Sequence, residues 1–165
     1  MRIQAWGDLV SASGSIAQAI ESLRSSGKDL AAFFNEVFLA VEPVYRNIGI
    51  EVKEIGRGYA KAVFNMSENI ARWGGVVNGG VIMTVIDMVI GISVMTVNDG
   101  IDQYTAELKV NFLEPLRIDP FTAIGRVIRK GGTLVVGEGE IYDGENRLCA
   151  KGIGTWFIVK RRNTG

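Results

Sequence analysis

Residues 76–91 read VVNGGVIMTVIDMVIG. Two glycines follow an amide, and a long apolar run then encloses a single acid, Asp87. Whether this run is a strand or a helix decides the fold. Its Val and Ile residues favour extended backbone locally, because β-branched side chains pack well on a pleated surface. Its length argues the other way. The apolar run 81–97 has 17 residues, whereas strands usually run about 3–10. Apolar residues occupy every side of it, so the predicted helix is buried on all faces. A membrane span is disfavoured, since the run is short and a mid-bilayer Asp is costly.

Working outward, the upstream segment 48–55 alternates, Arg57-Gly58 marks a turn, and YAKAVFNM (59–66) alternates again, which predicts a hairpin. Downstream, 104–113 alternates, with Ala106, Leu108, Val110 and Phe112 on one side and Glu107, Lys109 and Asn111 on the other. Pro115 and Pro120 bracket a bend. Strands are predicted at 121–130, 133–142 and 147–159, turned by Gly131-Gly132 and by DGEN (143–146), so the last four strands read as a meander. The pattern predicts an α+β fold in which a curved antiparallel sheet wraps one long buried helix.

Residues 1–46 read as a helical extension and 47–160 as the main domain. Helical spacing covers 8–25, breaks at Ser25-Ser26-Gly27, and resumes over 28–41 with Leu30, Phe33, Phe34, Val37, Phe38 and Val41 on one stripe. Pro43 ends it. The extension carries Arg2, Arg24, Lys28 and Arg46 against Asp8, Glu21, Asp29, Glu36 and Glu42, which argues against a DNA-reading helix pair. The final KRRNTG reads as a solvated tail.

Composition narrows the chemistry. Of the 165 residues, 47% are apolar and 22% charged, as in a globular domain. Eighteen basic residues balance eighteen acidic ones, so neither nucleic acid nor an anionic membrane is expected as the main partner. One cysteine, Cys149, permits no internal disulfide, and a cytoplasmic location is expected, with no signal peptide visible in MRIQAWGDL. The chain has no histidine. That excludes Ser-His-Asp and Cys-His nucleophile pairs and His-containing zinc sites, so no metal is expected. Acid–base work must fall to carboxylates, Lys or Tyr.

Asn78-Gly79-Gly80, six residues, then Asp87 resembles the HGG…D signature of the hotdog-fold acyl-CoA thioesterases, in the phenylacetate-type group. YTAELKVNFLEP (104–115), RKGGTLVVGEGEIYD (129–143) and LCAKGIGTWFIV (148–159) resemble that family's strand after the helix, following hairpin and last strand. The resemblance covers about 47–159 and implies a hotdog fold, acyl-CoA as substrate, no cofactor beyond that CoA, and a homodimer assembled further into a homotetramer. It also implies catalytic roles for three residues. The Gly79 N–H would point at the thioester carbonyl, Asp87 would be base or nucleophile, and Thr105 would position the attacking water. Asn78, Gly80, Arg72 and Lys130 are candidates for binding substrate, and Arg126 and Arg129 are further candidates for the CoA phosphates. Trp73, Met83 and Met88 are candidates for an acyl pocket. Two positions depart from the family pattern: Asn78 stands where histidine is usual, and Arg72 where asparagine is often found.

A thioester needs a polarised carbonyl and an activated water. A helix N-terminus offers unpaired N–H groups and partial positive charge, and glycine lets substrate approach them closely. Asn78 can cap that terminus through its side-chain oxygen. Asp87 lies eight residues beyond Gly79, about 12 Å along a helix. One carbonyl cannot touch both in one chain. A two-fold pair of antiparallel helices brings Gly79 of one chain to Asp87 of the other. Two other readings stand beside hydrolysis: a non-catalytic acyl-CoA-binding protein, kept open by Asn78 and Arg72, and a dehydratase, disfavoured because its site pairs an acid with histidine.

Overall fold

A computed structural model describes residues 2–161, so most of the KRRNTG tail lies outside the described residues. The long run is a helix, α5 (Gly79–Met95). It packs chiefly on strands β2 (Tyr59–Phe64), β6 (Phe121–Lys130) and β7 (Leu134–Tyr142). With β1 (Glu51–Gly56), β5 (Asp102–Phe112) and β8 (Leu148–Val159) these form one antiparallel sheet of six strands, in the order β1-β2-β6-β7-β8-β5. Ile86, Val89 and Ile90 are fully buried between helix and sheet.

The predicted meander is corrected at one strand. β6, β7 and β8 run consecutively, but β5 pairs with β8 and forms the far edge. The segment 113–120 carries the chain from that edge back to β6 beside β2. Alternation identifies a strand's faces but not its neighbour, so the expected meander rested on chain order alone. A short ribbon, β3 (Ala71–Arg72) with β4 (Val76–Val77), leads into α5 and was not expected. Its turn places Gly74 and Gly75 at positive φ.

α5 packs unusually close to the sheet. A Cβ on Gly125 would come within 2.2 Å of the Val89 carbonyl oxygen, and one on Gly152 within 2.8 Å of the Ile86 side chain. The expectation of a helix buried on every face also needs correction. Within one chain, Gly80, Met83, Thr84, Asp87 and Gly91 form a stripe that is not fully buried, and its Asp87–Gly91 part faces a cavity.

The extension is helical, in more pieces than the periodicity suggested: α1 (Arg2–Ser13), α2 (Ile16–Ser25), α3 (Leu30–Phe34), a π-helical turn (Asn35–Leu39) and α4 (Pro43–Ile48). Gly14, at φ 92°, separates α1 from α2. Pro43 opens α4, since a missing N–H costs nothing in a first turn. The helices are fastened to the sheet and to the loop that follows α5. Asn35 bonds both backbone groups of Val52 on the β1 edge at 2.8 and 2.9 Å, and the Ile16 N–H donates to the Gly100 carbonyl at 2.9 Å. Trp6, Phe33, Phe34 and Phe38 form an aromatic cluster between α1 and the α3–π segment, with Trp6 and Phe38 centroids 5.4 Å apart.

Candidate active site

Asp87 sits midway along α5 on the open stripe. Its Oδ1 accepts a hydrogen bond from Thr105 Oγ1 at 2.9 Å. This contact depends on a β-bulge. Simple alternation puts Thr105 with Glu107 and Lys109, facing away from the helix. The β5–β8 register shifts between Thr105 and Glu107, so Thr105 pairs with Trp156, Glu107 with Thr155, and Ala106 is left between. The bulge turns Thr105 towards α5 while Leu108 and Val110 keep their inward side. Ala106 and Phe112, expected on the apolar face, are exposed instead, Ala106 by the bulge and Phe112 at the strand's open end. The site therefore lies on an edge strand at a bulge.

Burial raises the Asp87 pKa from its ordinary value of 3.8, and the Thr105 hydrogen bond opposes that rise in part. Tyr45, on α4, is pushed up to about 12 by burial and then by the charges of Glu42 and Asp87. It is therefore a protonated phenol near the Asp87 carboxylate.

At the start of α5, Asn78 is the N-cap, and its Oδ1 accepts from the Gly80 N–H at 2.8 Å. The Gly79 N–H meets no acceptor among the described residues. Gly79 and Arg72 line a cavity of about 360 Å³ together with Phe112 and Leu113. Arg72 is exposed there and donates to the Trp73 carbonyl at 3.1 Å. Asn78, Gly79, Gly80 and Arg72 thus come together at one end of the helix, and Asp87 with Thr105 lies two turns along.

Lys130 does not join either group. It ends β6 and pairs with Asp99, beyond the C-terminus of α5, at 3.0 Å. Arg126 is held by Glu140 at 3.6 Å and lies over the Tyr59 ring, and Arg129 is exposed near Lys130. Of the acyl-pocket candidates, Met88 lines a cavity, Met83 lies on the open stripe, and Trp73 is 94% exposed in the β3–β4 turn. Cys149 is buried, and burial pushes its thiol pKa up, which makes it a poor nucleophile. Among the described residues no three His, Cys, Asp or Glu side chains gather as a metal site, and no helix is long and apolar enough to cross a membrane.

The larger of the two cavities described escaped the sequence reading. A cavity of about 680 Å³ opens beside Asp87 and Thr105 and runs along α5 past Met88, Gly91 and Ile92 to Met95. Its opposite wall is the N-terminal extension, through Trp6, Val10, Phe34, Phe38, Glu42 and Tyr45. The one legible signal was Gly91, a missing side chain one turn beyond Asp87 in a helix of bulky residues.

An antiparallel sheet of six strands packed on one long helix is the hotdog arrangement. The comparisons agree. The sequence profile described as the thioesterase superfamily matches residues 74–150. The chain is 41% identical over 127 residues to a Saccharolobus solfataricus protein named "Putative esterase SSO2140", spanning 77% of this chain and 91% of that one. It is 25% identical over 139 residues to the medium/long-chain acyl-CoA thioesterase YigI of Escherichia coli K12, spanning 74% and 90%. Thioesterase HI1161 of Haemophilus influenzae superposes with a TM-score of 0.73 at 21% identity, over 84% of this chain and 96% of that one. Zebra fish thioesterase superfamily member 2 gives 0.69 at 19% identity, over 78% and 95%. At these identities the structural likeness concerns the fold. The chain belongs to the thioesterase superfamily.

Proposed function

We propose that the chain hydrolyses acyl-CoA thioesters to the free acid and CoA. The observation that carries this reading is the Asp87–Thr105 pair, 2.9 Å apart at the mouth of a large, mainly apolar cavity. Thr105 donates its hydroxyl hydrogen bond to Asp87 Oδ1 and keeps its proton, so the Thr105 oxygen is left to accept from a water that would sit at Asp87 Oδ2. Asp87 removes a proton from that water as oxygen attacks the carbonyl carbon. The oxyanion is stabilised by the Gly79 N–H of the second subunit, where one such donor contributes about 100–1,000-fold in rate. The C–S bond then breaks, and the proton held by Asp87 neutralises the CoA thiolate. Asn78, by occupying the Gly80 N–H, fixes the helix start and leaves Gly79 as the open donor. Arg72, which lines the same cavity as Gly79, would meet CoA phosphate.

The acyl-CoA reading is supported by the likeness to YigI, whose name states that substrate class. The dimer is supported by the open stripe of α5 and by β5, an edge strand whose Tyr104 is 60% exposed. The apolar outer face formed by Ile128, Leu134, Ile153 and Phe157 is where dimers would meet in a tetramer. The test is thiol release from a panel of acyl-CoAs. Asp87→Asn should lower kcat by about 100–10,000-fold, the range for loss of a general base. Tight acyl-CoA binding by the unaltered protein, with no thiol released, would support the non-catalytic alternative instead.

A further inference from the structure

We propose that the N-terminal extension and Gly91 build an acyl chamber for medium-length chains, and that the missing side chain at Gly91 sets the chain length accepted. This rests on the reading of Asp87 as the catalytic acid of a thioester hydrolase.

Asp87, Gly91 and Met95 stand four residues apart on one face of α5, and all three line the large cavity. An acyl group whose carbonyl rests at Asp87 therefore has one open course, along this face towards Met95. Its walls are mainly apolar on both sides: Met88 and Ile92 on α5, Trp156 on β8, and Trp6, Phe34 and Phe38 from the extension. The polar side chain beside Gly91 is already engaged. Gln103 Nε2 donates to the Gly91 carbonyl at 2.8 Å, and its Oε1 accepts from Asn98 at 3.1 Å. The inner part of the chamber thus offers apolar contact and no hydrogen bond from Gln103. Of the polar residues in the extension's wall, Tyr45 lies at the Asp87 end with Glu42 beside it, as its coupling to both charges shows, and Ser11 accepts from Arg161 through its carbonyl at 2.7 Å and its hydroxyl at 3.3 Å.

Length follows from the helix. Asp87 to Met95 spans about 12 Å, and an extended chain advances about 1.2 Å per bond. The chamber accepts an acyl group of about eight to ten carbons. Gly91 lies near its midpoint. A Cβ there would meet Trp156 Nε1 at 3.6 Å and Gln103 Nε2 at 3.9 Å, ordinary contacts, so the backbone tolerates a side chain. A larger side chain would fill the chamber about 6 Å beyond Asp87 and leave room for about five carbons.

The experiment compares butyryl-, octanoyl- and decanoyl-CoA in the full-length protein, its Gly91→Leu variant and its Trp6→Ala variant, with thermal melts confirming that each folds. Each methylene lodged in the chamber contributes about fourfold to kcat/KM. In the unaltered protein kcat/KM should rise from butyryl to octanoyl. Gly91→Leu should lower the decanoyl-to-butyryl ratio by at least about 30-fold. Trp6→Ala, in the extension and remote from Asp87 in sequence, should lower the octanoyl-to-butyryl ratio, whereas a purely structural role would depress all substrates alike. If Gly91→Leu does not fold, Gly91→Ala should shift the ratio in the same direction by a smaller amount. An unchanged ratio in the folded Gly91 variant overturns the chamber while leaving hydrolysis standing. Absence of hydrolysis of every acyl-CoA by the unaltered protein overturns both.

Discussion

Asp87, like Glu42 in the same cavity wall, is a carboxylate placed where its charged form is poorly solvated. Burial raises its pKa and the Thr105 hydroxyl partly restores it. The folded state therefore holds this proton to higher pH than the unfolded chain. Its contribution to stability is greatest below the ordinary value of 3.8 and is lost as pH rises through the raised folded value. Activity has the opposite sense, because the base must be ionised. The acid limb of kcat/KM should lie above the ordinary Asp range. Thr105→Val keeps the branched shape and removes the hydroxyl. It should move that limb to still higher pH and reduce kcat/KM about tenfold, the scale of one hydrogen bond to a charged group. A limb that stays in place in Thr105→Val would remove Thr105 from the site. Sequence parity alone set Thr105 on the wrong side of its strand. The bulge that corrects it leaves no composition signal, since Ala106 is an ordinary strand residue and the shift shows only in the pairing with β8.

At the scale of the element, α5 was legible because its length is incompatible with a strand, and its start because Asn78 and two glycines are a strong capping signal. What the sequence did not reveal was how deeply the helix sits. Gly125, Gly137, Gly139 and Gly152 look like strand weaknesses, yet each lies where a Cβ would meet α5 within 3.0 Å. Their conformational freedom is not what matters; the absence of a side chain is. Gly125→Ala should therefore destabilise the fold by about 1–3 kcal/mol or more, because the intruding atom meets helix backbone at 2.2 Å and no rotamer change relieves it. Gly132→Ala, with nothing within 4 Å, is the matched control and should change stability little. Urea denaturation of both variants measures the difference, and equal midpoints would mean that the helix can lift from the sheet at little cost. The extension was legible as helices but not as a cavity wall. Its aromatic stripe is what a packed core also produces, and nothing local marks which side faces a void.

The whole molecule is where the sequence argument about spacing has its sharpest consequence. Gly79 and Asp87 begin and bisect the same helix, about 12 Å apart, and each lies at its own cavity. An antiparallel pair of α5 helices would join the Arg72–Gly79 cavity of one subunit to the Asp87 chamber of the other, giving CoA and acyl group one continuous cleft. Two variants separate the halves. Asp87→Asn removes the base. Gly79→Pro removes the amide donor, and the helix start tolerates it: position 79 is the first residue of α5, where proline is favoured. Asn78, at φ −61° and ψ 137°, already has the backbone a residue before proline requires. The added Cβ would meet Phe112 at an ordinary 3.6 Å. Each variant alone should be nearly inactive, with Gly79→Pro down about 100–1,000-fold in kcat. Co-expressed under separate tags, the two should regain activity. In a mixed dimer one site combines intact Gly79 from the first chain with intact Asp87 from the second, while the other site carries both lesions. Random pairing makes half the dimers mixed, so the pool should recover about one quarter of full activity, and purified mixed dimers about one half. A site contained within one chain predicts no recovery at all, which makes the mixed dimer the measurement that decides where the active site is assembled.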